Sequence, residues 1–367
     1  MKRILLSEAG GTLTRNFVAS LRAAGEPFHI VGISSNPYEL LLSDCDECHL
    51  VPPACDPRFL PAVRAVAERT SAGFLHSQHD VLIKVLSAHR GELPVRMFLP
   101  DERTVAACID KYESYRRWAA AGVPVPETME IGSEQDLDRA FRHLGPTIWL
   151  RLKEGGGGAG ATPTDNSTFA KAWVERFHGW GRFMAAELLS AESVTWTSIW
   201  LDGELVIAQG RRRLNWLFGN RTLSGVTGVT GVSQTVSDPL VDEIAERAIR
   251  AMDAAPTGIF SVDMTYRKGG EPCVTEINIG RFFTTIHFFT EAGVNFPAIF
   301  VALAYGEKPA LPERRVNPLP PGLLWVRGMD TEPVLAHPDA IEDYRRRMED
   351  LMESLPEGAR NTSASFR

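Results

Sequence analysis

A chain of 367 residues with a formal charge of −7, 44% apolar and 23% charged residues, has the make-up of a globular protein of two or three domains, at roughly 150 residues each. Neither end carries a basic block, which excludes a nonspecific nucleic-acid surface and makes any phosphate site local. No apolar run approaches the ~20 residues that cross a bilayer, and three apolar residues before Ser7 and Glu8 are too few for a signal peptide, so no membrane partner and a cytoplasmic location are expected.

From the N-terminus, strand patterns at 4–7, 29–34 and 73–76 alternate with helix patterns at 14–24 and 57–69, the βαβ signature of a parallel sheet. Gly10-Gly11 follows the first strand without completing G-x-G-x-x-G, and the second strand ends Ser34-Ser35-Asn36 with no acid to grip a ribose. The domain therefore reads as Rossmann-like without a dinucleotide site. Five cysteines include a Cys45-Asp46-Glu47-Cys48-His49 cluster with Cys55 nearby; no second Cys or His pair follows at ligand spacing, so free thiols are favoured over a zinc knuckle.

A helix expected over 104–121 stops at Gly122 and passes into Val123-Pro124-Val125-Pro126, where proline forbids continuation. Ser133 caps a second helix to 144, before a strand at 147–153 that delivers Lys153 to its edge. Directly behind comes Glu154-Gly155-Gly156-Gly157-Gly158-Ala159-Gly160, a loop so poor in side chains that its amides can close over an anion. It is not a Walker loop, because the lysine precedes the glycines. Strands at 183–187, 193–201 and 204–211 are expected to form one antiparallel sheet, with a helix at 239–252 between them and a final hairpin. The glycines of 225–233 suit either a covering loop or a plain surface loop, and Trp196, Trp200, Trp216 and Phe218 are either core or the lining of an acceptor pocket. Prolines from 309 onward mark a linker, followed by a strand at 323–327, a charged helix at 339–355 and a tail at 358–367 that reads as disordered.

The hairpin carries the chemistry. Folding back at Lys268-Gly269-Gly270-Glu271 sets Asp263 opposite Glu276 and Ser261 opposite Asn278, with Phe260, Val262 and Met264 opposite Ile279, Ile277 and Thr275 on the other face, and Tyr266 opposite Cys273. Directly opposed carboxylates, with Cβ atoms roughly 5 Å apart, destabilise a strand pair and ask for a compensating cation, the alternative being a solvated strand face on a half-exposed sheet. Asp263, Glu276 and Asn278 offer hard oxygens to magnesium, with phosphate oxygens and water completing the octahedron.

In this order the pieces resemble the ATP-grasp superfamily of ATP-dependent carboxylate ligases over residues 1 to about 308. Asp110-Lys111 with Gly122-Val123-Pro124-Val125-Pro126 is similar to the family's Asp-Lys helix and Gly-x-Pro-x-Pro; Lys153 and the glycine loop are similar to its lysine strand and phosphate loop. Glu187-Leu188-Leu189-Ser190-Ala191-Glu192 resembles the hinge that receives adenine, and Asp263…Glu276-Ile277-Asn278 resembles the metal hairpin, with an extra residue before Arg281.

The resemblance implies an α/β and α+β architecture: a Rossmann-like pre-ATP-grasp domain (1–103), an ATP-grasp small subdomain with the glycine loop (104–182), a large subdomain with the metal hairpin (183–308), the two clasping the nucleotide, and a C-terminal segment (309–367). It implies ATP as nucleotide, with Mg2+, or Mn2+ in its place, on Asp263, Glu276 and Asn278. Lys111 and Lys153 would hold the α- and β-phosphates. Gly156, Gly157 and Gly158 would cover them, Glu187, Leu188 and Leu189 would hold adenine, and Glu192 the ribose. Arg281, with Arg211 or Arg213, would steady the acylphosphate. The implied reaction is a ligase's: a small carboxylate, foremost an amino acid, is activated as an acylphosphate and joined to an amine, in a homodimer if this chain follows relatives. Two readings stay open beside it: phosphorylation of bicarbonate or carbamate, as in carbamoyl phosphate synthase, and a degenerate ATP-binding regulator.

Overall fold

The computed structural model describes residues 1–155, 158, 160–226, 228–328 and 338–356, without side chains for 338–341. In chain order the elements are β1 (Lys2–Ser7), α1 (Thr12–Arg22), β2 (Phe28–Ser34), α2 (Pro37–Leu40), β3 (Glu47–Leu50), α3 (Phe59–Thr70), β4 (Phe74–His76), α4 (Asp80–Ala88), α5 (Glu102–Ile109), α6 (Lys111–Ala120), β5 (Thr128–Ile131) and α7 (Glu134–His143). There follow β6 (Ile148–Leu152), β7 (Thr162–Thr164), α8 (Ser167–Arg176), β8 (Phe183–Glu187), β9 (Ser193–Leu201), β10 (Glu204–Trp216), β11 (Thr230–Val236) and α9 (Pro239–Met252). The last are β12 (Gly258–Tyr266), β13 (Pro272–Ile279), α10 (His287–Glu291), α11 (Phe296–Ala304), β14 (Leu324–Val326) and α12 (Pro338–Glu353). They form two compact units, one of 1–102, 280–312 and 329–367, the other of 103–279 and 313–328.

The first unit is built on a parallel sheet of order β3-β2-β1-β4. Its strands are largely buried, and Phe17, Phe74 and Phe300, with Phe282 behind Phe17 and Phe300, pack around His76, which is fully buried and pushed down to about 3 by that burial. Residues 280–308, grouped by sequence with the large subdomain, pack here: Tyr305 donates to the Arg3 carbonyl (2.8 Å), and the Phe282 amide donates to Gln78 (3.0 Å). Sequence periodicity passed over β3 and α4, since four residues reading Glu-Cys-His-Leu carry no strand signal of their own.

The second unit holds two sheets. The smaller, of order β5-β8-β6-β7, closes over Ile148, Leu150, Val174, Phe183 and Ala185. Strand β8 thus corrects the expectation for 183–187: its inward Phe183 and Ala185 fill this small core, and it lies between β5 and β6 instead of joining the large sheet. The larger sheet runs β13-β12-β9-β10-β11-β14 and is antiparallel throughout. Helix α9, proline at its first turn and Asp238 as cap, buries Val241, Ile244, Ala248 and Met252 at helical spacing.

The helix expected over 104–121 is two helices. Asp110 leaves the helical region (φ −79°, ψ 103°) and its carboxylate accepts from the Tyr112 and Glu113 amides, capping α6 and placing Lys111 at its first position. Trp118, wholly buried, anchors α6 by donating to the Ala248 carbonyl (3.0 Å) of α9.

Two outcomes are expected. Asp110→Ala removes the cap and costs about 1 kcal/mol, which a thermal melt reads as a fall of a few degrees. In the first unit Glu8, held at φ 52°, is pushed up to about 7 by burial and by its neighbour Glu39. The folded chain therefore holds a proton that the unfolded chain gives up near 4.5, so this stabilisation is present at acid pH and is lost as pH rises through about 7. Melts of Glu8→Gln across that window are expected to decline less than those of the parent chain.

Candidate functional site

A cavity of about 440 Å3 opens in the second unit between its two sheets. Its lining includes Tyr115 of α6, Trp149 and Arg151 of β6 with Gly158 and Ala161 beyond, the connection 187–191, Arg213 and Trp216 of β10 with 224–226, and Asp263 and Glu276 of the hairpin.

The hairpin sets the floor. Asp263 faces Glu276 and Ser261 faces Asn278, as the turn predicts, and Phe260 and Val262 meet Ile279 and Ile277. Beyond Asp263 the register slips by one: Met264 faces Val274 and Tyr266 faces Pro272, correcting the pairings expected with Thr275 and Cys273. Thr275 is the extra residue of a bulge, bonded through Oγ1 to the Asp263 carbonyl (3.1 Å), while its own carbonyl accepts from the Tyr115 hydroxyl (2.9 Å). Burial pushes that phenol up to about 12, so it remains a donor.

Protein cations already answer the two carboxylates. Arg213 donates through Nη1 to Asp263 (3.1 Å) and through Nε to Ser193 (3.1 Å), and its guanidinium lies 4.5 Å from the Trp216 ring centre. Asp263 also accepts from Thr195 (2.5 Å) and from the Asn278 amide (3.2 Å). Arg151 donates to Glu276 (2.8 Å), and Lys111 Nζ stands 3.6 Å from the same oxygen while donating to the Gly155 carbonyl (2.6 Å). Burial opposes the charge on Arg151, yet Glu276 and Tyr115 keep it above the ordinary guanidinium value.

The other expected residues are distributed as follows. Lys153 pairs with Glu130 and lies 5.9 Å from the Tyr112 ring centre. Glu187 turns its carboxylate away to the Arg267 guanidinium (2.9 and 3.0 Å) and the Glu127 amide (2.9 Å), so its side chain locks the hinge to the hairpin turn. Leu188, Leu189, Ser190 and Ala191 pass along the cavity, with Ser190 and Glu192 bonded through their backbones to Tyr266. Glu192 is exposed. Arg211 is 1% exposed and holds the Ser233 (3.1 Å) and Thr230 hydroxyls; burial first, then the like charge of Arg213, lowers it well below the usual guanidinium value. Among the described residues that border the cavity, Lys111, Lys153, Glu192, Arg211 and Asn278 do not figure. Arg281 belongs to the first unit, where it donates to Asp80 (2.5 and 3.0 Å). Gly156 and Gly157 lie outside the described residues. Gly158, at φ +76°, has the Val226 carbonyl 2.9 Å from where a Cβ would stand, so only glycine lets the two loops meet.

Sequence reasoning missed Arg151, Tyr115 and Thr195. Arg151 had a signal, since it shares a strand face with Trp149 and Lys153 at period two. Trp196 and Trp200 are core, whereas Trp216 borders the cavity.

The donor set fits a hard divalent ion. Asp263 and Glu276 supply four carboxylate oxygens on adjacent strands, with the Asn278 amide oxygen as a third oxygen source, and no soft ligand intrudes. Among the described residues, no group of three or more His, Cys, Asp or Glu offers a metal site by itself, so further ligands would come from phosphate and water.

No known family profile matches the chain. A D-alanine–D-alanine ligase of Mycobacterium ulcerans is 25% identical over 217 residues, 54% of this chain and 58% of that enzyme, so the match spans little more than half of it. Among solved structures, carboxyaminoimidazole ribonucleotide synthase of Aspergillus clavatus with ATP superposes at a TM-score of 0.64, with 16% identity over 86% of this chain and 80% of that one. An L-amino acid ligase of Bacillus licheniformis does so at 0.64, with 13% identity over 83% and 74%.

Asp263 and Arg213 are nearly buried (side chains 7% and 10% exposed). Arg213→Met, which strands the carboxylate, is expected to cost about 3 kcal/mol in urea unfolding, and Arg213→Met with Asp263→Leu distinctly less.

Proposed function

We propose that this chain, ATP-grasp in its fold, is an ATP-dependent ligase that activates a small carboxylate, foremost an amino acid, as an acylphosphate and joins it to an amine with release of ADP and phosphate. The observation that carries the reading is the placing of Asp263 and Glu276, flanked by Arg213 and Arg151, in one cavity with the open hinge 187–191. An apolar hinge beside a floor of ordered charge is what a nucleotide requires: a flat site for a base at one end and neutralisation of phosphates at the other.

The residues divide the work. Leu188 and Leu189 offer apolar surface and backbone groups to adenine, and Glu187 positions them through Arg267. Gly158 and Val226 close over the anion side and exclude water, which matters because acylphosphates hydrolyse. Magnesium, or manganese, held by Asp263, Glu276 and Asn278 would neutralise charge on the transferring phosphoryl group. Arg151, already on Glu276, then lies where phosphate oxygens can replace the carboxylate as its acceptor, and Lys111 beside the same oxygen adds positive charge. Arg213, stiffened by Trp216 and Ser193, steadies the oxyanion of the tetrahedral adduct that forms as the amine attacks the acylphosphate carbon and that collapses by expelling phosphate.

Amino acids screened in pairs with ATP are expected to yield ADP and phosphate only when both co-substrates are present. Glu276→Gln should lower turnover by about 100-fold or more. Turnover on bicarbonate alone would favour the carbamoyl phosphate reading, and ATP binding without turnover across the screen a regulator; full turnover by Glu276→Gln would sink the metal assignment.

A further inference from the structure

The Cys45-x-x-Cys48 cluster belongs to none of this chemistry. Strand β3 lies parallel to β2 with Gly32 opposite Cys48, and residues paired across neighbouring strands project to the same face. Gly32 has no side chain there, and the Cys45 Sγ stands 3.0 Å from where its Cβ would be. Ala9 stands closer still, 2.5 Å from that point, so nothing larger than glycine fits at position 32, and Cys45 and Cys48 both pack against the same small cluster. The Cys45 thiol donates to the Cys48 sulfur, and both are free of any disulfide and half-buried. Around them sit Ala9, Leu40 and Leu50, with Tyr344 and Met348 of α12 packed against the same cluster.

The two thiols are made unequal. The Cys45 hydrogen bond lowers Cys48 to about 7 against the opposition of burial and of the Glu47 carboxylate, helped by Ser43 and by Arg347 of α12, while the same bond and burial drive Cys45 upward. One sulfur is thus primed as a nucleophile and its neighbour held as a protonated resolving thiol. Among the described residues the cluster supplies no third metal ligand, which leaves dithiol chemistry.

We propose that Cys45 and Cys48 form a reversible dithiol–disulfide site whose reduced form seats α12. With a small disulfide such as oxidised glutathione, the Cys48 thiolate attacks one sulfur and expels a glutathione thiolate. Cys45 then loses its proton and attacks the Cys48 sulfur of the mixed disulfide, expelling the second glutathione. Two protein thiols and one glutathione disulfide become one protein disulfide and two glutathiones. Closing the bond draws the sulfurs to about 2.05 Å, reshapes the surface under Tyr344 and Met348, and removes the thiolate that attracts Arg347. The disulfide form accordingly holds α12 less firmly.

The test equilibrates the full chain in glutathione buffers of stepped oxidised fraction, reads all five cysteines by alkylation and mass spectrometry, and follows amide exchange over 342–353. Cys45 and Cys48 are expected to lose alkylation together and regain it on reduction, with exchange in α12 at least about tenfold faster in the oxidised chain. Cys55→Ser should respond as the parent chain does, and Cys48→Ser should lose both responses. A glutathione adduct at Cys48 or Cys55 with no 45–48 bond would overturn the proposal, as would a 45–48 bond that leaves exchange in α12 unchanged. Both readings are made on the parent chain, so a Cys48→Ser chain that fails to fold leaves the test decisive.

Discussion

Two carboxylates forced face to face by a chain reversal are the constraint around which the second unit is arranged. Asp263 and Glu276 occupy paired positions on β12 and β13, where like charges repel and neither strand can turn its side chain away without exposing an apolar face. The chain resolves the conflict from two sides. Arg213 of the large sheet takes Asp263, and Arg151 of the small sheet, with Lys111 at the start of α6, takes Glu276. The paired acids thereby hold both sheets to one cavity, and the bulge at Thr275 presents a carbonyl to Tyr115 that fixes α6 on the same floor.

Arg151, Arg213 and Lys111 meet two carboxylates, and Arg211 adds a buried guanidinium one step further along the inner face of β10. Cations gathered at a cavity wall, one of them stiffened by an aromatic ring, suit a site that receives an anion. The hinge is placed with equal economy, because Glu187 spends its carboxylate on Arg267 and the Tyr266 backbone holds Ser190 and Glu192. A base and a polyphosphate would therefore be read by elements anchored to a single hairpin.

Much of this was legible in the sequence because turn chemistry and period-two alternation are local. A glycine pair at 269–270 with strand-forming residues on either side set the opposition of Asp263 and Glu276 without reference to the rest of the chain. The pairing failed only past Asp263, where the bulge answers to Tyr115, a partner 160 residues away in sequence. Strand β8 was misassigned for the same kind of reason: Phe-Met-Ala-Ala-Glu looks the same in either sheet, and only packing of Phe183 against Ile148 and Val174 selects the small one. Asp110 shows how a cap hides inside an apparently continuous helix, because Asp is tolerated in both settings until its neighbours decide. Arg281 was legible as a residue but not as a partner of Asp80, a pairing that depends on how 280–312 folds within the first unit.

The central claim is that the Asp263–Glu276 pair holds a divalent cation when a nucleoside triphosphate fills the cavity. The most direct measurement is anomalous diffraction from crystals grown with Mn2+ and a non-hydrolysable ATP analogue. The account predicts a manganese peak within bonding distance of oxygens from both carboxylates, beside the phosphates and with Arg151 turned toward them. A nucleotide bound elsewhere, or one bound in this cavity with Asp263 and Glu276 still committed to Arg213 and Arg151 and no peak between the strands, would contradict it.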